Sequence, residues 1–596
     1  MERTTQYIKD FSVSVLQKDC LTRERLMPGK WQLVEYETVE NSGVMLYSDN
    51  AIMPPTVTAS LDLTGWYRIH VCIFSGETFR CGLSLRLSGD SSPSFFTQGP
   101  VSNVWSAFER GEEFFWKAAD LTGRTMDIGK LPGTRATKVG LLWLRFEPMN
   151  DQEVRDYQAE FSRRDTKRLH AHTDGDWLEL LGKDATLDEY ASIMDEWARS
   201  DIDIASVELA YLVCDYGWAE KLCKEGREEF VSLRVQRSIE FKRRLPEVVG
   251  EYARRAEKYG IKLYCAQRMG LANFVFPMGN NQVDHMPFVT ENPQWFCHDR
   301  NGDVVATLSY AYPEVGDYMI GKFLEAVELG CHGATLIWIR GVQVLFEEPV
   351  RRRFAELYPG VDPCTLPLTD ERLSNVRCSF ITDFMRRLRK AFDDYSEAKK
   401  LPHLGINAIV CYGFDDDRVY GLDVETWARE GLVDSLVVGN MKLWEEDKNF
   451  RDDDHPELIS VDKFDAYKKH GPLTPIQRIH GNDIAPKLQH IHEYMELARE
   501  TGVKVFFEMP WEGRFEPQEL RNYALELYRN GAENIALWDC YTLRVMHRPE
   551  WLISSRLGHK DELPSMPAEY DGYRRAVRVT SMGGVSIASY NPSWRG

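Results

Sequence analysis

Hydrophobic and polar positions along the chain follow two different rhythms. Between residues 31 and 148, short apolar runs are cut by Gly, Pro, Asn and Asp: WQLVEYETV (31–39), TVTASLDL (56–63), WYRIHVCIF (66–74), CGLSLRLSG (81–89), EEFFWKAADL (112–121) and KVGLLWLRFEP (138–148). Strand-length runs at that spacing predict a β-sandwich. A polar connection, 150–167, leads into a second rhythm in which apolar runs alternate with longer helical stretches. Those runs are RLHAHTD (168–174), IASVELA (204–210), IKLYCAQRM (261–269), ATLIWIR (334–340), INAIVCYG (406–413), VDSLVVG (433–439), VKVFFEM (503–509) and NIALWDC (534–540).

The stretches between them, among them LDEYASIMDEWARS, RRLPEVVGEYARRAEKYG and PQELRNYALELYRNG, carry helical spacing. Several end in Gly just before the next strand, as a left-handed cap residue would. Eight strand–helix units in series, without a GxGxxG first turn, predict α/β architecture: a closed (β/α)8 TIM barrel behind an N-terminal β-sandwich. The expected division is a sandwich over 1–160, open to a carbohydrate-binding or a plain packing role, a barrel over 161–560, and a C-terminal strand segment over 561–596 that returns to the sandwich.

Bulk properties narrow the partners. At 596 residues and 43% apolar content the chain can fill more than one core. A formal charge of -19 disfavours nucleic acid, whose binding needs clustered cations. The N-terminal segment MERTTQYIKDFSVSVLQKDCL contains no signal-like apolar stretch, and no run reaches membrane-spanning length, so a cytoplasmic protein is expected. The 12 cysteines lack CxxC pairs or even spacing and read as reduced packing residues. The sequence is compatible with a homo-oligomer.

In a barrel of this kind functional groups sit at the C-terminal strand ends. That rule nominates His170, His172, Asp174 and Asp176 on the first strand, Glu208 on the second, and Gln267 and Arg268 on the third. It adds Trp338 and Arg340 on the fourth, Cys411 and Tyr412 on the fifth, Asn440 on the sixth, Glu508 and Trp511 on the seventh, and Trp538 and Asp539 on the eighth. Carboxylates, two arginines and aromatic faces at one mouth suit a carbohydrate: sugar faces stack on aromatics, and glycosidic cleavage takes two carboxyl groups. Glu508 is the first candidate for base or nucleophile, with Asp539, Glu208 or Glu347 as proton donor. His172, Asp174, Arg268, Trp338, Arg340, Tyr412, Trp511 and Trp538 are candidate substrate contacts. For each acid the alternative is a structural ion pair, and Asp415, Asp416 and Asp417 read as a solvated loop. No cofactor and no metal is expected. The HxH of His170 and His172 with Asp539 leaves a metal-dependent hydrolase, lyase or isomerase as the rival, although the fifth and sixth strands offer no further His ligands. A glycan-binding barrel without catalysis is the third reading.

Several stretches carry a resemblance: RLHAHTDGD, SVELA, AQRMG, NPQWFCHDRNGDVVATLSYAYPEVGDYMIGKFLEA, IRGVQVLFEEPVRRRFAELYPGVDP, TDFMRRLRK and YGLDVETWAREGLVDSLVVG. Together they resemble bacterial proteins described as family-10-like glycosyl hydrolases, over most of 168–539. The resemblance implies a carbohydrate-active barrel with an N-terminal β-domain and transfers no catalytic pair. NPQW stands where that group often reads HPEW, and Gly316 where it often has Arg.

Overall fold

The structure, a computed structural model, describes residues 4–25, 27–75, 81–98, 110–131, 138–174, 185–209, 212–213, 217–270, 286–338, 342–367, 369–439, 484–509, 517–538, 540, 545–546, 548–566 and 574–586. The N-terminal region forms two sheets, antiparallel except where Leu21–Thr22 runs parallel to Trp31–Thr38. One has nine strands, running Leu21–Thr22, Trp31–Thr38, Ser42–Ser48, Val139–Pro148, Trp66–Ser75, Arg110–Asp120, Arg574–Met582 and Val585–Ser586, with Gln6–Ile8 added to Val139–Pro148. The other has four: Val57–Ser60, Thr125–Lys130, Cys81–Leu87 and Ser94–Gln98. Buried Trp31, Tyr36, Trp116 and Trp143 belong to one apolar cluster with side chains from both sheets.

Arg574–Met582, from the far end of the chain, pairs first with Arg110–Asp120 and then with Trp31–Thr38. It thereby bends the large sheet round on itself. The polar connection contains a helix, Asp151–Glu160, opened by an Asn150–Glu153 capping box that satisfies otherwise unpaired N–H groups.

The second region is a closed barrel of eight parallel strands. In chain order they are β1 (Leu169–Thr173), β2 (Ile202–Glu208), β3 (Lys262–Arg268), β4 (Gly333–Ile337), β5 (Gly405–Val410), β6 (Ser435–Val438), β7 (Lys504–Glu508) and β8 (Asn534–Leu537). All eight coincide with the apolar runs of the sequence, because barrel strands are buried on both faces. Leu233–Tyr259, the helix before β3, stops at Gly260 with φ 69°, a left-handed cap that favours glycine. A hairpin, Phe296–His298 with Val304–Leu308, is inserted between β3 and β4.

Sandwich and barrel are joined through buried polar contacts. Ser94 donates to Glu196 at 2.6 Å, Ser92 donates to Asp195, and Arg548, which pairs with Glu196 at 2.8 Å, also donates to the Trp116 carbonyl. The described cysteines are free thiols, most of them buried. No described helix is long and apolar enough to cross a membrane.

Candidate functional site

Strand alternation decides which side chains enter the barrel. His170 on β1 reaches Ser206 on β2 at 2.8 Å, and Ser206 reaches Thr335 on β4 at 2.6 Å. Asn407 on β5 contacts both His170 and Thr335, and accepts from Ser435 on β6 at 2.8 Å. These five side chains make a fully buried polar layer across the barrel interior. Burial, with His172 and Lys504 adding to it, pushes the His170 imidazole down to about 3, so the ring is neutral and serves as a hydrogen-bonding spacer.

Two residues further along each strand the same alternation points His172, Glu208 and Glu508 inward at the C-terminal end. For Glu508 the register is fixed by Phe506, whose ring lies 5.6 Å from that of His170.

His172, Asp174, Glu208 and Arg268 are brought together there. The Nε of Arg268 donates to both oxygens of Glu208 at 3.1 Å, and its Nη2 donates to Asp174 Oδ2 at 2.7 Å. Strand register produces this meeting: Glu208 stands beside Ala266 on β3, two residues short of Arg268. Burial works against the guanidinium charge, but Glu208 and Asp174 outweigh it and hold Arg268 well above its usual range. Both carboxylates are therefore tied to one guanidinium. His172 Nδ1 lies 3.7 Å from the other Asp174 oxygen, and its ring stacks on Trp538 with centroids 4.0 Å apart and planes at 25°. His172, Asp174 and Glu208 bring ligand-type atoms within 4.8 Å of one another, a spacing that suits a divalent cation. Arg268 already supplies the positive charge between the two carboxylates.

Other nominated residues fall elsewhere. Trp338, expected to stack on substrate, follows inward-facing Thr335 by an odd number of residues. It is fully buried outside the barrel wall, against Tyr310, Phe384 and Trp427. Glu347, expected as a proton donor at the mouth, is fully buried in a second cluster beneath the inserted hairpin. Its carboxylate accepts from the Leu345 N–H at 2.9 Å, the Phe346 N–H next to it bonds His298, and Ser309 and Cys297 also donate to it. Burial pushes this carboxyl up and pushes the nearby Arg377 down to about 10 against the pull of Glu347. Among the described residues no hydrogen bond or ion pair joins Glu347 to Arg268, which pairs with Glu208 and Asp174. Tyr412 is buried just past the end of β5. Arg340, Trp511 and Asp539, with Asp176 and Asn440, lie outside the described residues.

The acidic run 415–417 is not a solvated loop. It opens the helix Phe414–Val419, where carboxylates complement the helix dipole, and Asp417 is fully buried. That side chain accepts from the Cys411 N–H at 2.8 Å and from the Tyr494 hydroxyl at 2.6 Å. The polar layer is signalled in the sequence only by Ser206, Thr335 and Asn407, isolated polar residues in apolar strands.

No family model matches the chain, so the family-10-like likeness read from the sequence finds no matching model, and no curated protein matches either. Solved structures similar to this chain include the glycoside hydrolase domain of PgaB (BpsB) from Bordetella bronchiseptica, at 11% identity and a TM-score of 0.35 over 64% of this chain and 99% of that one. The α-galactosidase TtGalA from Thermus thermophilus aligns at 13% identity and a TM-score of 0.33 over 90% and 95% of the two chains. The noncanonic maltogenic α-amylase AmyB from Thermotoga neapolitana aligns at 13% identity and a TM-score of 0.32 over 67% and 77%. Likenesses this remote leave function to the chemistry of the site itself.

Proposed function

We propose that the chain is a glycoside hydrolase whose carboxylates act at the C-terminal end of the barrel. The observation that carries this reading is the Asp174–Arg268–Glu208 cluster, facing the same end of the barrel as Glu508. Glycosidic cleavage develops positive charge on the sugar ring and needs one carboxylate to attack, or to activate water, beneath the anomeric carbon. Glu508, inward-facing and 1% exposed, is the candidate for that role, with Asp539 the carboxyl next to it in strand order. Glu208 and Asp174, both committed to Arg268, hold fixed negative charge for sugar hydroxyls and for the developing cation. Because Arg268 is neutralised by two acids, the substrate fitted to this cluster is a neutral glycoside or oligosaccharide.

The metal-dependent alternative is weaker on two counts. Nε2 of His170 is engaged with Ser206, and the space between Asp174 and Glu208 is bridged by a guanidinium. Incubating the purified chain with a panel of aryl glycosides and neutral oligosaccharides tests the proposal. Released aglycone or new reducing ends support it; binding without product identifies a glycan-binding barrel instead.

A further inference from the structure

We infer that Arg548 is a positioning residue: together with an edge strand of the sandwich it clamps the seam at which the barrel closes, and so holds Trp538 against His172. Its consequence for turnover rests on the hydrolase reading; the clamp itself does not.

Parallel strands that follow one another in the chain are tied by the crossover between them, but β8, the last strand, has no crossover returning it to β1. Their seam is short. It pairs Leu169 with Ile535, His170 with Ala536 and Ala171 with Leu537, and β8 is four residues long. His172, from β1, and Trp538, the residue after β8, stack across this seam with centroids 4.0 Å apart. Any slip between the two strands therefore separates the two rings.

Arg548 joins the elements that follow the two strands. It opens the helix Arg548–Ser554 after β8, and its Nη1 donates at 2.8 Å to Glu196 on the helix Ser192–Ala198, which follows β1. Nη2 of the same guanidinium donates to the Trp116 carbonyl of the sandwich. The other Glu196 oxygen accepts from Ser94 at 2.6 Å. Ser94 begins the edge strand Ser94–Gln98 of the four-stranded sheet. Phe95 of that strand packs into the barrel's apolar cluster, and the Thr97 N–H donates to the Met546 carbonyl at 2.8 Å. A sheet edge leaves such N–H groups open; here the segment entering the Arg548 helix fills the place. Arg548, Glu196 and Met546 are buried, which strengthens these bonds relative to water. A planar guanidinium donating in two fixed directions thus locks the element after β8 to the element after β1 and to the sandwich at once.

Hydrogen exchange and kinetics on the full chain test the clamp together. Arg548→Gln should speed amide exchange in peptides covering β1 and β8 by about tenfold or more, while β4, remote from the seam, keeps its wild-type rate. On a glycoside that the wild-type chain hydrolyses, kcat should fall about 10–10²-fold with KM within a few-fold. In a Trp538→Phe background the same substitution should cost under about threefold, because both changes act through one contact. Thr97→Pro removes only the N–H that Met546 accepts from, a change tolerated at a sheet edge. It should give the same local exchange pattern at smaller amplitude, and it decides the matter if Arg548→Gln does not fold. Faster exchange in every barrel strand alike, no change at β1 and β8, an unchanged kcat, or a kcat loss that simply adds to that of Trp538→Phe would overturn the inference while leaving the hydrolase reading intact. Absence of wild-type turnover on every glycoside would instead remove the hydrolase reading, and the exchange pattern alone would then decide the clamp.

Discussion

Replacing His559 by Gln perturbs a charged clasp on the opposite end of the barrel. Nδ1 of His559 lies 2.7 Å from Asp201 Oδ2 and Nε2 meets Glu160 Oε1. With a carboxylate on each nitrogen, both must carry protons. Burial alone would push this imidazole down, but the bonds to Asp201 and Glu160 carry it from its ordinary 6.5 up to about 9. At about 1.4 kcal/mol per pH unit, that rise is worth about 3 kcal/mol of stability in the charged state. The folded value lies above the unfolded one, so the contribution is complete below pH 6.5 and disappears as pH climbs through 9. Lys167 acts in the opposite sense: burial lowers it to about 8, so its ionisation destabilises the fold until the ordinary lysine range is passed. Comparing wild type with His559→Gln cancels that effect. Urea unfolding of both proteins should show a gap of about 3 kcal/mol at pH 6 that narrows to under about 1 kcal/mol at pH 9.5. Arg556, 3.1 Å from Glu160, remains in the variant and limits the loss. A gap that stays constant across this range would refute the assignment of a charged His559.

Arg268→Met should destabilise the fold by about 2 kcal/mol, less than a fully buried pair would give because Arg268 is partly exposed; an unchanged urea midpoint would show that the cluster bears no load. Asp417→Ala, which strips the Cys411 N–H and the Tyr494 hydroxyl of their acceptor, should lower stability by about 1–3 kcal/mol, with Asp417→Asn milder in the same denaturation assay. In Gly405→Ala the new methyl would collide with the Tyr264 ring, for a loss of about 1–3 kcal/mol that the additional change Tyr264→Val should partly relieve. Glu347→Gln should leave kcat/KM within a few-fold of wild type, because its carboxylate serves the hairpin cluster; a collapse in turnover at unchanged Tm would return it to the reacting groups.

The barrel was legible because its strands are continuous apolar runs bounded by helical periodicity and terminal glycines, signals that need no tertiary information. The β-region was harder. Ser42–Ser48 and Thr125–Lys130 carry no strand signal of their own because neither short segment shows a sustained alternation, and their pairing is enforced by neighbouring strands. At the site, Glu208 stood out as a lone acid in the strand IDIASVE, and Arg268 as the polar end of KLYCAQR. Their mutual pairing, and its extension to Asp174, depends on the stagger between β2 and β3, which no single strand encodes. Trp338 illustrates the remedy: counting in twos from Thr335 turns it out of the barrel. Asp417 looked solvated because it sits among like charges, yet one of the three carboxyls points into the protein and binds Cys411 and Tyr494.

The central claim is that a carboxylate at the end of β7 performs the bond-breaking step. The direct measurement is kcat/KM for Glu508→Gln against wild type on a glycoside the wild-type chain hydrolyses, with circular dichroism to establish that both are folded. A fall of about 10³-fold or more, as expected when a group essential to the transition state is lost, is the predicted result. Turnover within a few-fold of wild type would contradict the claim.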